Sequence, residues 1–238
     1  MPVTLITGGS KGIGLATVCK LAAEGHEIVT ISRTPPPNDA PCKHYSADLA
    51  DPVSAQNALD RITANHSIDN VVNNAGIPWP DSTGETTLEG FDAVVALNLR
   101  AALIVTQACL PSMRAKRCGR IVNISSRAAL GLVNRNAYSA AKAGLIGLSR
   151  TWALELGRSG ITVNVVAPGP IETELFLSNN DPNDKKIRNR ISSIPVGRMG
   201  KPDDVAAAIS FFLNPASSYV TGQTLFVCGG TSIGSIHQ

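Results

Sequence analysis

The sequence predicts a doubly wound α/β fold, in which helices cover both faces of a parallel sheet. Apolar, β-branched runs alternate with helical patterns of ten or more residues, which implies parallel strands joined by right-handed crossovers. Hydrophobic residues make up 43% of the 238 residues and aromatic residues only 4%, an aliphatic composition typical of a sheet buried between helices. A glycine-rich turn also joins the first strand to the first helix.

Strands and helices alternate along nearly the whole chain. The runs VTLIT, EIVTIS, IDNVVN, GRIVNIS, ITVNVVA and QTLFVC predict strands at 3–7, 27–32, 68–73, 119–125, 161–167 and 223–228. Helical spacing of apolar residues between them predicts helices at about 12–24, 52–65, 89–116, 137–158 and 202–213. Asp51 before Pro52 is typical of a helix start. No repeat or linker interrupts this order, so we expect one domain over residues 1–238.

Two segments depart from the alternation. Residues 33–42, RTPPPNDAPC, contain prolines that exclude a regular helix, so we expect a loop in place of a crossover helix. Residues 170–200 form a long connection after the strand at 161–167. Because connections of this length in compact domains are often functional, we predict a substrate lid at about 170–200.

Charge and hydropathy exclude several classes of function. The formal net charge is +3, from 21 basic and 18 acidic residues, which is too small for a nucleic-acid footprint. Apolar runs fall short of the roughly 18 residues of a membrane span. The chain opens MPVTLITGG, without the pattern of a secretion signal. We therefore expect a cytoplasmic protein that binds neither nucleic acid nor membrane.

Cysteines and histidines give no pattern of metal ligands. The five cysteines contain no CxxC pair, and the four histidines join no ligand spacing. We expect reduced, structural thiols and no metal site. The residues concerned are Cys19, Cys42, Cys109, Cys118, Cys228, His26, His44, His66 and His237.

The segment TGGSKGIG follows the first strand and opens the first helix. Gly8, Gly12 and Gly14 allow the backbone to approach a pyrophosphate, whose charge is favoured by the amides and the dipole of a helix N-terminus. This position in the chain predicts a Rossmann-type dinucleotide site. A tight turn without a ligand is the alternative interpretation.

The end of the second strand indicates which dinucleotide is bound. The segment ISRT places Ser32 and Arg33 where an acidic residue commonly takes the ribose hydroxyls of NAD. A guanidinium suits a 2′-phosphate, and Lys11 lies within reach of the same group, so the sequence favours NADP(H) over NAD(H). Two solvated cations are the alternative. Asp48 is a candidate acceptor for an adenine amino group, or else a helix cap.

The segment AYSAAKAGLIGLSR carries Tyr138 and Lys142 four positions apart, on one face of a helix. A phenol has a pKa of about 10, and a neighbouring ammonium favours the phenolate, so the pair suits acid/base chemistry. Upstream, NISSR ends a strand and supplies Ser125 and Ser126, hydroxyls that can bind a carbonyl oxygen. Because ligands of such sheets bind beyond the carboxyl ends of the strands, we expect these groups to meet the glycine turn.

Together these motifs resemble the short-chain dehydrogenase/reductase family, nearly from end to end. The matching segments are TGGSKGIG, NNAG, NISS, YSAAK, NVVAPGPIETEL and VTGQTLFVCGG. The resemblance implies that Tyr138 is the general acid/base and that Lys142 binds the nicotinamide ribose and lowers the tyrosine pKa. It implies that Ser126 orients the carbonyl and that Asn98 supports a water relay. The implied cofactor-binding residues are Gly8, Ser10, Lys11, Gly12, Ile13, Gly14, Arg33, Asp48, Leu49, Asn74, Ala75, Gly76, Tyr138, Lys142, Pro168, Gly169, Ile171 and Thr173.

The catalytic serine is ambiguous by one position. The usual spacing in the family is thirteen residues before the tyrosine, which Ser125 satisfies, whereas alignment on the strand GRIVNIS selects Ser126. We favour Ser126, since a loop loses a residue more readily than a strand.

The expected function is the NADPH-dependent reduction of a ketone to a secondary alcohol. The pattern is most similar to 3-oxoacyl-[acyl-carrier-protein] reductases, enzymes of fatty acid biosynthesis. The alternatives are an NAD(P)-dependent dehydrogenase of a sugar, polyol or other secondary alcohol, and a non-catalytic dinucleotide-sensing protein.

The resemblance also implies partners. We expect a homotetramer assembled through the helices at 89–116 and 137–158 and the C-terminal segment. An acidic acyl carrier protein, or the phosphopantetheine arm of one, is a candidate partner for a group of cations. The more ordinary interpretation of such a cluster is a solvated helix face. These cations are Arg127, Arg135, Lys185, Lys186, Arg188 and Arg190.

Overall fold

The computed structural model describes residues 1–174 and 185–234. Its strands are β1 (Val3–Thr7), β2 (Glu27–Ser32), β3 (Lys43–Ser46), β4 (Asn70–Asn73), β5 (Gly119–Ile124), β6 (Ile161–Pro168) and β7 (Thr224–Val227). Its helices are α1 (Gly12–Ala23), α2 (Pro52–Asn65), α3 (Leu88–Val95), α4 (Ala101–Lys116), α5 (Asn136–Leu156), α6 (Lys185–Ser192) and α7 (Pro202–Leu213). A π-helical turn, Ala96–Arg100, joins α3 to α4, and short 3₁₀ turns occupy Arg127–Leu130, Gly157–Ser159 and Pro215–Ser217.

The strands of the described residues form one parallel sheet in the order β3-β2-β1-β4-β5-β6-β7. The chain builds the sheet outward from β1 in one direction and then returns to continue from β4 in the other. The carboxyl ends of β1 and β4 therefore meet at a topological switch point, where open α/β sheets bind ligands. This order confirms the predicted doubly wound fold.

The core lies on both faces of the sheet, because successive strand residues point to opposite sides. Leu5, Val71 and Ile121 pack into the core beneath α2, α4 and α5. Their sequence neighbours Ile6, Val72 and Val122 pack on the opposite face against α1 and α7. Every residue of β4, β5 and β6 is buried, including polar residues such as Asn73 and Asn123, whose side chains hydrogen-bond to each other within the core.

Two connections differ in how well the sequence predicted them. Residues 33–42 contain no helix, so the loop predicted from their prolines is confirmed. The strand that follows, β3, was not predicted, and it pairs in parallel with β2 at the edge of the sheet. In the predicted lid, residues 175–184 lie outside the described residues, while α6 and the turn after it belong to the described part.

One helical stretch within the described residues, Leu88–Lys116, is long and apolar enough to cross a membrane by length and composition. Part of its apolar surface is already buried inside the protein, since Val94, Val105 and Met113 belong to the core. The core helix of a soluble protein meets the same criterion, so this stretch is weak support for a membrane span.

Candidate active site

The turn between β1 and α1 leaves a row of backbone amides without side-chain caps. Gly8 and Gly12 have φ of 67° and 55°, a left-handed conformation that favours glycine. A Cβ on Gly14 would overlap the carbonyl oxygen of Gly8, so the helix can start this close to the strand only with glycine. Lys11 precedes the helix and makes no side-chain cap, and the first turn of α1 contains no acidic residue. These features fit a phosphate group at the N-terminus of α1.

The ends of β1 and β4 are tied together beside this turn. The Thr7 hydroxyl accepts hydrogen bonds from the amides of Asn74 and Ala75, at 2.9 and 2.8 Å. The Asn74 side chain donates to the carbonyl oxygens of Thr7 and Gly8. The predicted cofactor residues 74–76 therefore lie against the glycine turn, with Gly76 exposed at the crevice.

The predicted adenosine side of the crevice lies at the carboxyl ends of β2 and β3. Arg33 follows the last residue of β2 and is exposed. Asp48 is half-buried, and one of its carboxylate oxygens accepts from the amide of Ala50 at 2.9 Å, while Leu49 is buried in the core. Asp51, rather than Asp48, caps α2 by accepting from the amide of Val53. Asp48 is thus not used as the helix cap.

The two candidate serines have different environments at the end of β5. Ser125 is buried, and its hydroxyl donates to the backbone carbonyl of Lys142 at 2.7 Å. Ser126 is half-buried, accepts from the amide of Ala128 at 3.1 Å, and lies near enough to Tyr138 for its hydroxyl to lower the pKa of the phenol. Ser125 therefore holds α5 against β5, while Ser126 faces the phenol.

Helix α5 brings Tyr138 and Lys142 together below these serines. The Lys142 Nζ lies 5.7 Å from the centre of the Tyr138 ring and donates to the carbonyl of Ile124 at 2.8 Å. Burial lowers the pKa of Lys142 to about 8. Burial also raises the pKa of Tyr138, against the opposing effects of the Ser126 hydrogen bond and the charge of Arg135.

The direction of the Tyr138 shift differs from the one expected from sequence. A lowered pKa was expected from the neighbouring ammonium. In the structure, burial destabilises the phenolate more than Ser126 and Arg135 stabilise it, so the pKa of Tyr138 is raised. Tyr138 is therefore protonated at neutral pH, a state suited to giving a proton away.

Asn98 lies in the π-helical turn between α3 and α4 and is buried. Its amide nitrogen donates to the carbonyls of Val94 and Ile77, at 3.0 and 3.2 Å. Its Oδ1 has no partner among the described residues and points at Gly76, whose Cα also faces the Lys142 Nζ. Such an oxygen suits a bound water, and π-helical turns are frequent at functional sites.

The chain after β6 closes the crevice from the side opposite the glycine turn. Pro168 ends β6, and the amide of Gly169 donates to the carbonyl of Val227. Ile171 is buried and bridges to Gly200, which anchors both ends of the predicted lid. Thr173 lies across from Gly12, since a Cβ on that glycine would lie 3.4 Å from the Thr173 methyl.

Comparisons with known proteins agree with this arrangement. A family profile described as enoyl-(acyl carrier protein) reductase matches residues 8–232. The chain is 36% identical to (2S)-[(R)-hydroxy(phenyl)methyl]succinyl-CoA dehydrogenase subunit BbsD of Thauera aromatica, with 97% of this chain and 96% of the relative covered. It is 37% identical to the 3-oxoacyl-[acyl-carrier-protein] reductase FabG of Thermotoga maritima, over 97% and 98% of the two chains. The chain belongs to the short-chain dehydrogenase/reductase family.

A solved structure of a short-chain dehydrogenase/reductase supports the same conclusion. A variant of actinorhodin polyketide ketoreductase with NADPH superimposes with a TM-score of 0.90 at 30% identity, covering 98% of this chain and 97% of the other. The predicted family and the class of activity, an oxidoreductase acting on CH–OH or C=O groups, are thereby confirmed. The NADPH of that structure is the reduced form of the predicted cofactor, NADP(H).

The site residues of this short-chain dehydrogenase/reductase fit a dinucleotide. The uncapped amides of α1 fit the phosphates of the dinucleotide. Because Gly14 has no Cβ, the start of α1 packs directly against the Gly8 carbonyl of the turn. The unpartnered Oδ1 of Asn98 and the buried ammonium of Lys142 face Gly76 from two sides, where polar groups of a ligand would complete their hydrogen bonds.

Sequence reasoning missed two features of the site. It did not anticipate that Ser125 fixes the backbone of Lys142, because a hydroxyl directed at a carbonyl leaves no motif. It also did not place Arg135 beside the phenol, where its charge affects the pKa of Tyr138. The position of Arg135 three residues before Tyr138, at the start of the helix, was the available signal.

Proposed function

We propose that this protein reduces a ketone to a secondary alcohol with NADPH, and that 3-oxoacyl thioesters are its substrate class. The observation that carries this proposal is the position of Tyr138, whose ring centre lies 5.7 Å from the buried Lys142 Nζ and whose pKa, raised by burial, is lowered in part by the Ser126 hydroxyl. It places two hydroxyls where one carbonyl oxygen can meet both. The thioester is favoured because both curated relatives are named for carbonyl or hydroxyl substrates carried on coenzyme A or a carrier protein.

The proposed roles follow from what each side chain can donate. Bound NADPH supplies the hydride to the carbonyl carbon. Ser126 donates a hydrogen bond to the carbonyl oxygen and stabilises the negative charge that develops there. Tyr138 transfers its proton to the same oxygen. Lys142 and Asn98 would hold the water from which the phenol regains a proton.

Substitution of the two serines is expected to separate their roles. Ser126→Ala removes a donor to the developing oxyanion and should lower kcat by about 10²–10³-fold with little change in thermal stability. Ser125→Ala removes a buried hydrogen bond and should cost about 1–3 kcal/mol of stability while keeping most of kcat. Steady-state rates and thermal melts of both variants measure this. An inactive Ser125→Ala beside an active Ser126→Ala would show that the assignment is wrong.

The rate of reduction is expected to fall in alkaline solution. The ammonium of Lys142 is present below its lowered pKa of about 8 and is lost above it. Burial raises the pKa of Tyr138, so the phenol stays protonated throughout this range. The profile of kcat/KM for NADPH, which reports the free enzyme, should be level below about pH 8 and decline above it. A rate that climbs from pH 7 to pH 9 would contradict the proposed proton donor.

The substrate class is tested by initial rates of NADPH and NADH oxidation with several kinds of ketone. An acetoacetyl thioester is compared with simple ketones, ketosugars and diketones. Strong NADPH-linked reduction of the thioester supports the proposal. Activity on the other ketones alone keeps the mechanism and replaces the substrate with a sugar, polyol or secondary alcohol. NADPH binding without turnover on the whole panel indicates a non-catalytic sensor.

We also propose the assembly and location of the enzyme. Residues 1–238 act as one NADP(H)-binding domain with a lid at about 170–200. Leu103 and Leu110 on α4 and Trp152 on α5 line a surface groove between the two helices, and Leu154 on α5 is largely exposed, which supports a homotetramer packed through them. Light scattering that shows a stable monomer would refute the tetramer. We place the enzyme in the cytoplasm, as inferred from its sequence.

An acidic acyl carrier protein is proposed as the physiological carrier of the substrate. Arg127 is half-buried and Arg188 on α6 is exposed, both as described in the structure. The side chains of Lys185, Lys186 and Arg190 lie outside the described part. Salt-dependent crosslinking to an acidic carrier protein tests the interaction, and its absence would leave a free thioester as the substrate.

A further inference from the structure

Arg135 is a half-buried cation at the start of the helix that carries Tyr138. Its guanidinium donates to the adjacent carbonyl of Asn134 at 2.7 Å. It forms no ion pair with any carboxylate in the parts of the chain that the structure describes. Arg135 is the N-cap residue of α5 and precedes Tyr138 by three residues, so the two side chains start one helical turn apart on neighbouring positions of the helix surface. The effect of the Arg135 charge on the pKa of Tyr138 agrees with this placement.

The neighbouring carboxylate, Asp81, does not pair with the Arg135 guanidinium. The backbones of Asp81 and Arg135 form a bridge, and the Asp81 amide donates to the carbonyl of Asn134. The Asp81 carboxylate instead accepts from the Thr86 hydroxyl at 2.8 Å and from the amide of Ala137 at 3.3 Å. Asp81 therefore fixes the loop to the start of α5 and leaves the charge of Arg135 available to a ligand.

Exposed apolar side chains lie on the two loops that meet at Arg135. Leu130, Leu132 and Val133 precede it on the loop from β5 to α5, and all three are exposed. Trp79, on the loop that Asp81 joins to this one, is also exposed. Exposed apolar side chains next to a functional cleft commonly contact a ligand. The mouth of the site thus offers apolar walls and one strong donor of paired hydrogen bonds.

We propose that Arg135 binds a carboxylate that the substrate carries in addition to its thioester, on the acyl chain within a few bonds of the ketone carbonyl. The inference rests on the proposed function, because Tyr138 fixes where that carbonyl lies. A guanidinium matches a carboxylate with two parallel hydrogen bonds. The phosphate of a phosphopantetheine arm is a poorer fit, since many bonds separate it from the thioester, whereas Arg135 lies close to the phenol.

Matched oxo acids and methyl esters test this proposal. Wild-type enzyme is assayed with 3-oxobutanoate, 4-oxopentanoate and 5-oxohexanoate and with the methyl ester of each. At least one acid should be reduced with a higher kcat/KM than its ester. Arg135→Gln should lower kcat/KM for that acid by about 10–100-fold, mainly through KM, and change the ester by no more than about threefold.

Two further variants sharpen the result. Arg158→Gln removes an exposed cation from the turn at the other end of α5 and should leave kcat/KM unchanged for both acid and ester. Arg135→Lys keeps the charge without the paired donors and should restore only part of the rate with the acid. A wild-type preference for every ester, or equal losses for acid and ester in Arg135→Gln, would overturn the role of Arg135. Because the esters report ketone reduction independently, turnover of esters without a preference for acids leaves the proposed function standing.

Discussion

Replacing Tyr138 with phenylalanine is expected to lower kcat for ketone reduction by about 10²–10⁴-fold, while affinity for NADPH stays within about threefold of the wild-type value. The substitution removes the proposed proton donor and keeps the ring that packs beside Val94, Ala137 and Ala141. Ser126 still accepts from the amide of Ala128, so its hydroxyl is not left without a partner. Steady-state turnover and fluorescence titration with NADPH measure the two quantities.

Tyr45→Phe is the matched control for this substitution. Tyr45 is also buried, and its hydroxyl hydrogen-bonds to His66 at 3.1 Å, but it lies on β3 at the edge of the sheet. The Tyr45→Phe variant should have a slightly lower thermal stability than the wild type and an unchanged kcat. Tyr138→Phe retaining more than about a tenth of the wild-type kcat would exclude Tyr138 as the main proton donor.

How well the sequence predicted each strand depended on where the strand lies in the sheet. The central strands are buried on both faces, and their β-branched pairs, such as Val71–Val72 and Val165–Val166, identify them although buried polar residues lie between the apolar ones. The edge strand β3, with the sequence KHYS, buries only Tyr45. One apolar residue in so short a segment gives no periodicity, and only the pairing with β2 makes it a strand.

The π-helical turn at Asn98 was hidden for a different reason. Its apolar residues continue the pattern of the helices on either side, which predicted one helix over 89–116. The deviation comes with a side chain that hydrogen-bonds to the carbonyl of Val94, four residues earlier in the chain, and to that of Ile77. Hydropathy does not register a change in hydrogen bonding within a helix.

The motifs predicted which residue types gather at the site but not how each is engaged. Spacing alone could not choose between Ser125 and Ser126. In the structure the Ser125 hydroxyl donates to a backbone carbonyl, whereas the Ser126 hydroxyl accepts from an amide and lowers the pKa of Tyr138 against the larger effect of burial. The pKa of Tyr138 was misjudged because the cost of burial depends on the whole fold. The catalytic roles themselves remain predictions that the substitutions above test.

Replacing Arg33 with aspartate is expected to reverse the cofactor preference, lowering kcat/KM with NADPH by about 10³-fold and leaving NADH the better substrate. Each charge-assisted hydrogen bond lost to the 2′-phosphate costs about 1.5–3 kcal/mol, and the new carboxylate adds repulsion. With NADH the same carboxylate can accept from the ribose hydroxyls. Initial rates with both cofactors, at one fixed ketone concentration, give the ratio directly.

Lys43→Asp distinguishes local recognition from a general effect of charge. Lys43 is exposed, and Lys43→Asp changes the net charge by the same amount as Arg33→Asp. Lys43 begins β3, however, at the end of the sheet away from the crevice. It should leave the preference unchanged. Because Arg33 is exposed, added salt should weaken the wild-type preference for NADPH. Salt should also weaken the preference of Arg33→Asp for NADH, since it screens the repulsion between the carboxylate and the 2′-phosphate. If Arg33→Asp kept the wild-type preference, recognition of the 2′-phosphate would have to be assigned to Lys11, an exposed cation within the glycine turn.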